Sequence, residues 1–272
     1  RFNNLFTFKL KLILIVLTIH KNLTMKKLLF FLSFIFITTA YGQNIAFDFS
    51  FIKAEDIGAY DRNLKSKFQK VNQAYIDAGQ VLGWHVWKVI NGPQFPYTHL
   101  AVTVYDLENS DEDFEAPKWT ELFPDLTEEE LEEWGEKNAE NRKIVFTTQV
   151  KNVAEVLQKG VTTYPDIAVC NFMKAKHGYY KSYEDYEKLN TKSISSSSLR
   201  KGWSLAKRID NPGTDVSWTH FTVDWFDSYQ DFLKTSSGPS VDWGASSQGK
   251  KFMNLRDLTH RVAFRKFIFL NK

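Results

Sequence analysis

Two histidines carry the strongest chemical signal in the sequence. His99 stands in Tyr97-Thr98-His99 and His220 in Trp218-Thr219-His220, and each motif leads into an alternating run that ends on an acid, Asp106 or Asp227. An imidazole titrates near neutrality and binds divalent metals, so the pair could act as general bases, as polar ligand contacts or as metal ligands. Neighbouring strands would bring Asp48, His85 and Asp224 close. The spacings that hold metals, HExxH and CxxC, are absent, and a duplicated sequence keeps two histidines in step whether or not either does chemistry. The sequence therefore predicts no metal site. It leaves an acid–base or polar-pocket role for His99, His220 and Asp224 beside that of hydrogen-bonded structural histidines. Trp84 and Trp203, with Trp87 and Trp218, could stack on an aromatic ligand or anchor the core between helix and sheet. Cys170, the single cysteine, lies in the apolar run Ile167-Ala168-Val169-Cys170 and reads as a buried small hydrophobe. A Gly-x-Ser-x-Gly elbow, a phosphate-binding loop and a dinucleotide fingerprint are all missing, which removes the hydrolase, nucleotidase and Rossmann readings.

Charge and hydropathy place the functional part of the chain. The 272 residues hold 35 Lys and Arg against 32 Asp and Glu, but six of the bases and none of the acids lie in residues 1–42. The remainder carries a net charge of −3, without a basic run, so nucleic acid is not an expected partner. Met25-Lys26-Lys27, an apolar run from Leu28 to Thr38 and the small residues Ala40 and Gly42 have the three parts of a secretory signal peptide. The apolar run is too short for a membrane span. Cleavage after Gly42 and a periplasmic or secreted product without a membrane anchor are expected. Residues 1–24 read as translated sequence upstream of the start at Met25.

The elements that must position these groups come in two copies. Phe51-Ile52-Lys53-Ala54 matches Phe172-Met173-Lys174-Ala175 and the segment 97–106 matches 218–227, both at an offset of 121, while Gly83-Trp84 matches Gly202-Trp203 at 119. Small changes of offset in constant order are the mark of a duplicated unit with loop insertions. In the first copy, Phe47, Phe49 and Phe51 alternate with polar residues as in a strand. Apolar residues at spacings of three and four predict a helix over 56–79. Strands follow at 83–90 and 97–106. Thr127 and Glu130 have capping-box spacing for a second helix, and a strand is expected at 144–157. The second copy repeats this with a strand at 167–173, a helix near 179–194, strands at 203–209 and 217–226 and a last strand near 258–270. Unit boundaries are set at 45–160 and 165–272.

The order βαββαβ is the ferredoxin-like plait. With two copies in one chain, each with a Gly-Trp strand followed by an aromatic-Thr-His strand, the sequence resembles the dimeric α/β-barrel superfamily, which includes antibiotic-biosynthesis-type monooxygenases and stress-responsive barrel proteins. The resemblance spans most of residues 45–270. It implies an α+β fold in which tandem ferredoxin-like units form a pseudo-dimeric barrel, closed within the chain or between two chains of a monomer or homodimer. In that geometry the uniformly apolar set Leu100, Val102, Val104, Phe221, Val223 and Trp225 would lie under the helices. The alternate set would line the barrel: His99, Ala101, Thr103 and Tyr105, with His220, Thr222, Asp224 and Phe226, and from the first strands Asp48, Ser50, Val169 and Asn171. Asp48, His85, His99, Tyr105, Asn171, His220 and Asp224 are then the expected ligand contacts. The implied function is an exported, non-catalytic barrel that binds a small aromatic or apolar molecule and needs no cofactor. The alternative is a cofactor-independent monooxygenase-like or isomerase-like enzyme, with His99, His220 or Asp224 moving the proton.

Overall fold

The computed structural model describes residues 44–91, 95–108, 116–189, 194–195, 197–210, 213–239 and 242–272; the expected leader, residues 1–42, lies outside them. Eight antiparallel or crossover-connected strands form one closed barrel in the order β1-β3-β2-β8-β5-β7-β6-β4. They are β1 (Ile45–Ala54), β2 (Gly83–Val89), β3 (His99–Asp106), β4 (Arg142–Leu157), β5 (Ile167–Ala175), β6 (Arg200–Arg208), β7 (His220–Phe226) and β8 (Arg256–Asn271). The ring is two ferredoxin-like sheets, β4-β1-β3-β2 and β8-β5-β7-β6, joined edge to edge at a β2–β8 seam and a β4–β6 seam. The barrel thus closes within one chain, each of its eight described strands pairing on both sides.

The helix expected over 56–79 and the capped helix expected after Thr127 are both present. α1 (Ile57–Asn63) starts on Asp56, whose carboxylate accepts from the Ala59 amide, and passes through a π-helical turn (Leu64–Phe68) into α2 (Gln69–Asp77). After a short α3 (Trp119–Leu122), α4 (Glu128–Glu140) opens with both halves of the expected capping box between Thr127 and Glu130. α5 (Tyr180–Glu187) is shorter than the 179–194 expected; residues 190–193 are outside the described set. α6 (Tyr229–Ser236) and α7 (Ser247–Met253) complete the second copy. Apolar clusters between helices and sheet hold each copy together. Tyr60, Leu64 and Ile76 pack on Trp84 and Val86 in the first copy, and Tyr183 and Phe252 pack on Trp203 and Leu205 in the second. Trp84 and Trp203 are therefore core anchors.

The repeated Gly-Trp marks the two seams. Gly83 pairs with Asn271 and Gly202 with Leu157, so the same glycine of each copy stands where the half-sheets join. A Cβ on Gly83 would come within 2.8 Å of the Leu270 carbonyl oxygen, and one on Gly202 within 2.9 Å of the Val156 carbonyl oxygen. Those are backbone atoms of the facing strand and cannot swing aside, so the seams close only without a side chain. Both seams also carry a β-bulge at matching places, with Val153 unpaired in β4 and Phe267 in β8. Gly202→Val should destabilise the fold by about 2 kcal/mol, in the range of core overpacking, and lower the melting temperature by ~4–8 °C, read by circular dichroism. An unchanged midpoint would show that the seam has room the geometry denies.

Candidate functional site

Alternation along β3 and β7 gives each strand two faces, and the structure turns them the opposite way from the expectation. Leu100, Val102, Phe221, Val223 and Trp225 point into the barrel, while His99 and His220 lie outside it beneath the helices. The reason is visible in what meets each imidazole. Thr98 Oγ1 sits 2.8 Å from His99 Nδ1 and accepts the Ala54 amide at 3.0 Å, and on the other side of the ring the Asp61 carboxylate of α1, which can only accept, takes the Nε2–H at 3.0 Å. Lys88 pairs with the same carboxylate. The second copy repeats every part: Thr219 Oγ1 to His220 Nδ1 at 2.9 Å, the Ala175 amide to Thr219 Oγ1 at 3.0 Å, His220 Nε2 to Glu184 of α5 at 3.5 Å, and Lys207 to Glu184 at 3.1 Å. The helices supply the carboxylates that these two buried imidazoles pair with.

Other expected lining residues share that outer face. Asn171 donates to Thr222 at 3.2 Å and to Asp224 at 3.0 Å, accepts from Arg261, and Asp224 is paired with Arg200 at 2.8 Å. Val169 and Phe226 pack under α6. Asp48, Ser50, Ala101, Thr103 and Tyr105 alternate with the inward Phe47, Phe49, Leu100 and Val102 and so face out too. Of the expected ligand contacts only His85 lines the interior. It is buried, stacked on Phe269 at 3.7 Å between ring centres, and hydrogen-bonded to Asn271 at 2.8 Å.

The interior has a plug and a cavity. Repeat-related aromatic rings meet at the barrel's pseudo-two-fold centre: Phe51 with Tyr97 at 4.8 Å, Phe172 with Trp218 at 5.0 Å, and Phe51 with Phe172 at 6.2 Å. To one side of this plug lies a cavity of about 110 Å³, walled by apolar groups such as Leu100, Val102, Cys170 and Phe264. The Cys170 thiol is fully buried and its pKa is pushed well up by that burial, so it contributes volume rather than reactivity. Polar groups converge at one end. Glu155 Oε2 accepts from Tyr164 Oη at 2.8 Å and from Ser204 Oγ at 2.9 Å, and Ser204 accepts from Trp225 Nε1 at 2.8 Å. Tyr164, from the β4–β5 loop, lies against Trp225 at 4.7 Å, and Trp87 against Trp225 at 5.8 Å.

The bulge at Val153 puts Glu155 in this place. Asn152 faces the cavity, Val153 and Ala154 both pack outward, and Glu155 returns inward. Strict alternation would have turned Ala154 inward and Glu155 out. Periodicity misses Glu155 for that reason, since a bulge has no signature in it, and Tyr164 lies in the loop between β4 and β5; among the polar and aromatic residues with a chemical reading in the sequence, His85 and Trp87 do line the cavity. The matching bulge in β8 brings Phe269 inward against His85, at the position across the pseudo-two-fold from Glu155 and Ser204.

No protein-family model matches the chain, and no curated protein matches it in sequence. Solved structures do. An anthrone oxidase-like protein superposes with a TM-score of 0.54 at 8% identity, over 84% of this chain and 92% of that one. A dye-decolorizing peroxidase from Bacteroides thetaiotaomicron gives 0.47 at 8% over 85% and 93%, and a chlorite dismutase variant from Candidatus Nitrospira defluvii gives 0.44 at 10% over 85% and 92%. The similarity is one of fold, tandem ferredoxin-like halves in an α+β barrel.

Burial lowers the pKa of His99 and His220 against the raising effect of their carboxylates, and lowers that of His85 to about 4. The unfolded chain therefore binds these protons first as pH falls, and stability present above about pH 6.5 is lost progressively below it. For His85 alone the loss reaches about 3 kcal/mol by pH 4. The urea midpoint should fall steadily from pH 7 to pH 5; a flat or rising midpoint would mean the imidazoles are charged in the folded protein.

Proposed function

We propose that this chain is an exported, non-catalytic barrel that binds a small aromatic or apolar molecule inside the ring of strands. The observation that carries this reading is the apolar cavity of about 110 Å³ beside the central plug, with one cluster of polar groups at one end. A few placed polar groups among apolar walls is the usual make-up of a small-ligand site. The volume is close to the ~150 Å³ of an engineered apolar cavity that admits benzene, which suits one ring rather than a fused system. A proton-transfer role for His99, His220 or Asp224 has no geometric support: His99 and His220 are sealed under α1 and α5, and Asp224 is tied to Arg200 and Asn171 on the outer face.

Toluene at saturating concentration should raise the melting temperature of the mature protein, because a ligand that binds only the folded state stabilises it by mass action. Ala206→Leu, which adds side-chain volume at the cavity wall, should abolish the shift while leaving the fold intact. No shift in the unmodified protein would refute the site. Export is checked separately: expressed from Met25 in a secreting bacterial host, the protein recovered outside the cytoplasm should have a mass beginning at Gln43, and retention of the whole leader would refute it.

A further inference from the structure

We infer that the cavity selects a ligand that donates a hydrogen bond, a single-ring aromatic bearing an O–H or N–H group, and that Glu155 is its anchor. This rests on the cavity being a ligand site, as proposed above, and adds the chemistry of what enters it.

The hydrogen bonds at the mouth all run toward one atom. Trp225 donates to Ser204, so the Ser204 hydroxyl proton is directed to Glu155 Oε2, and the Tyr164 hydroxyl proton goes to the same oxygen. Glu155 Oε1 has no protein donor among the described residues, although the carboxylate is fixed in orientation by the two bonds on its other oxygen. Asn152 Oδ1, which lines the same cavity, is buried and also without a partner. A buried acceptor left unpaired is costly, so Asn152 Oδ1 gives the cavity a preference for a donating guest, and the carboxylate held in place beside it offers that guest a charged acceptor. Glu155 itself is exposed toward the mouth, which leaves Oε1 open to an incoming group without a rearrangement.

The walls fix the rest of the ligand. Trp87, Trp225, Tyr164 and Phe269 form a contiguous aromatic rim, Trp87 meeting Phe269 edge-on at 6.1 Å and Tyr164 meeting it at 6.0 Å. A flat ring can pass between such faces with its polar edge held at the rim. Trp87 and Trp225 touch one another, so there is no open box for a bulky cation between them. An anionic ligand is disfavoured by the carboxylate. The Lys266 ammonium stands 5.2 Å from the centre of Phe269 but is committed to the Tyr164 carbonyl and to Asp166 at 3.4 Å.

The test is calorimetric titration of the mature protein with phenol and toluene, isosteric rings that differ in the polar group alone, and with the anionic ring benzoate. Phenol should bind about tenfold or more tightly than toluene, as expected for a hydrogen bond to a charged acceptor, and benzoate no more tightly than toluene. Glu155→Ala should bring phenol to within about twofold of toluene measured on the same variant, and Glu155→Gln, which keeps a carbonyl acceptor, should recover part of the preference. A phenol preference that survives Glu155→Ala, or benzoate as the tightest of the three, overturns the assignment of Glu155. If neither phenol nor toluene binds the unmodified protein, the cavity is not a ligand site and this inference falls with it.

Discussion

Everything in this barrel depends on where two buried imidazoles find their partners. Each is held by a threonine hydroxyl on one nitrogen and a helix carboxylate on the other, and each carboxylate is shared with a lysine from the neighbouring strand, Lys88 or Lys207. The threonine also accepts an amide from the adjoining first strand, Ala54 or Ala175, so one cluster ties together helix, third strand and first strand in each copy. Leaving any of these groups unpaired beneath a helix would cost more than most single apolar contacts contribute. The cluster therefore fixes the roll of β3 and β7 about their own axes. Once His99 and His220 are committed outward, Leu100, Val102, Phe221, Val223 and Trp225 have nowhere to go but the interior.

An interior filled in this way has a symmetric part and an asymmetric part. The plug of Phe51, Phe172, Tyr97 and Trp218 obeys the repeat, with Phe51 meeting Phe172 and each packed against the matching ring of its own copy, Tyr97 or Trp218. The seams obey it in backbone only. The same glycine and the same bulge occur at both, yet at the inward position after the bulge one seam presents Glu155 opposite Ser204 and the other presents Phe269 opposite His85. One seam thus supplies acceptor chemistry and the other a stacked aromatic wall.

The element order, both copies and the capping box at Thr127 were legible because periodicity, turn residues and self-similarity report them directly. Which face of a strand turns inward was not. Alternation at β3 separates His99 from Leu100 but carries no sign, and the common rule that helices cover the more apolar face gave the wrong one here, because Asp61 and Glu184 make the helix-covered face hospitable to imidazole. Glu155 was hidden for a different reason. A single unpaired residue, Val153, reverses every side chain after it, and a one-residue slip in register leaves no trace in composition. Tyr164 comes from a loop, whose path no local pattern predicts.

The repeated Thr-His motif looked like chemistry because it is the most conspicuous polar feature that the two copies share. In a pseudo-symmetric barrel that sharing points the other way. A group needed equally by both halves is a group that builds the half, and the two imidazoles do so identically. A single small ligand lying off the pseudo-two-fold centre meets the two halves differently, so the residues able to orient it are those at which the copies diverge under a common backbone. Glu155 against Phe269, and Ser204 against His85, are such positions. Their divergence turns a symmetric ring of strands into a cavity with one polar end.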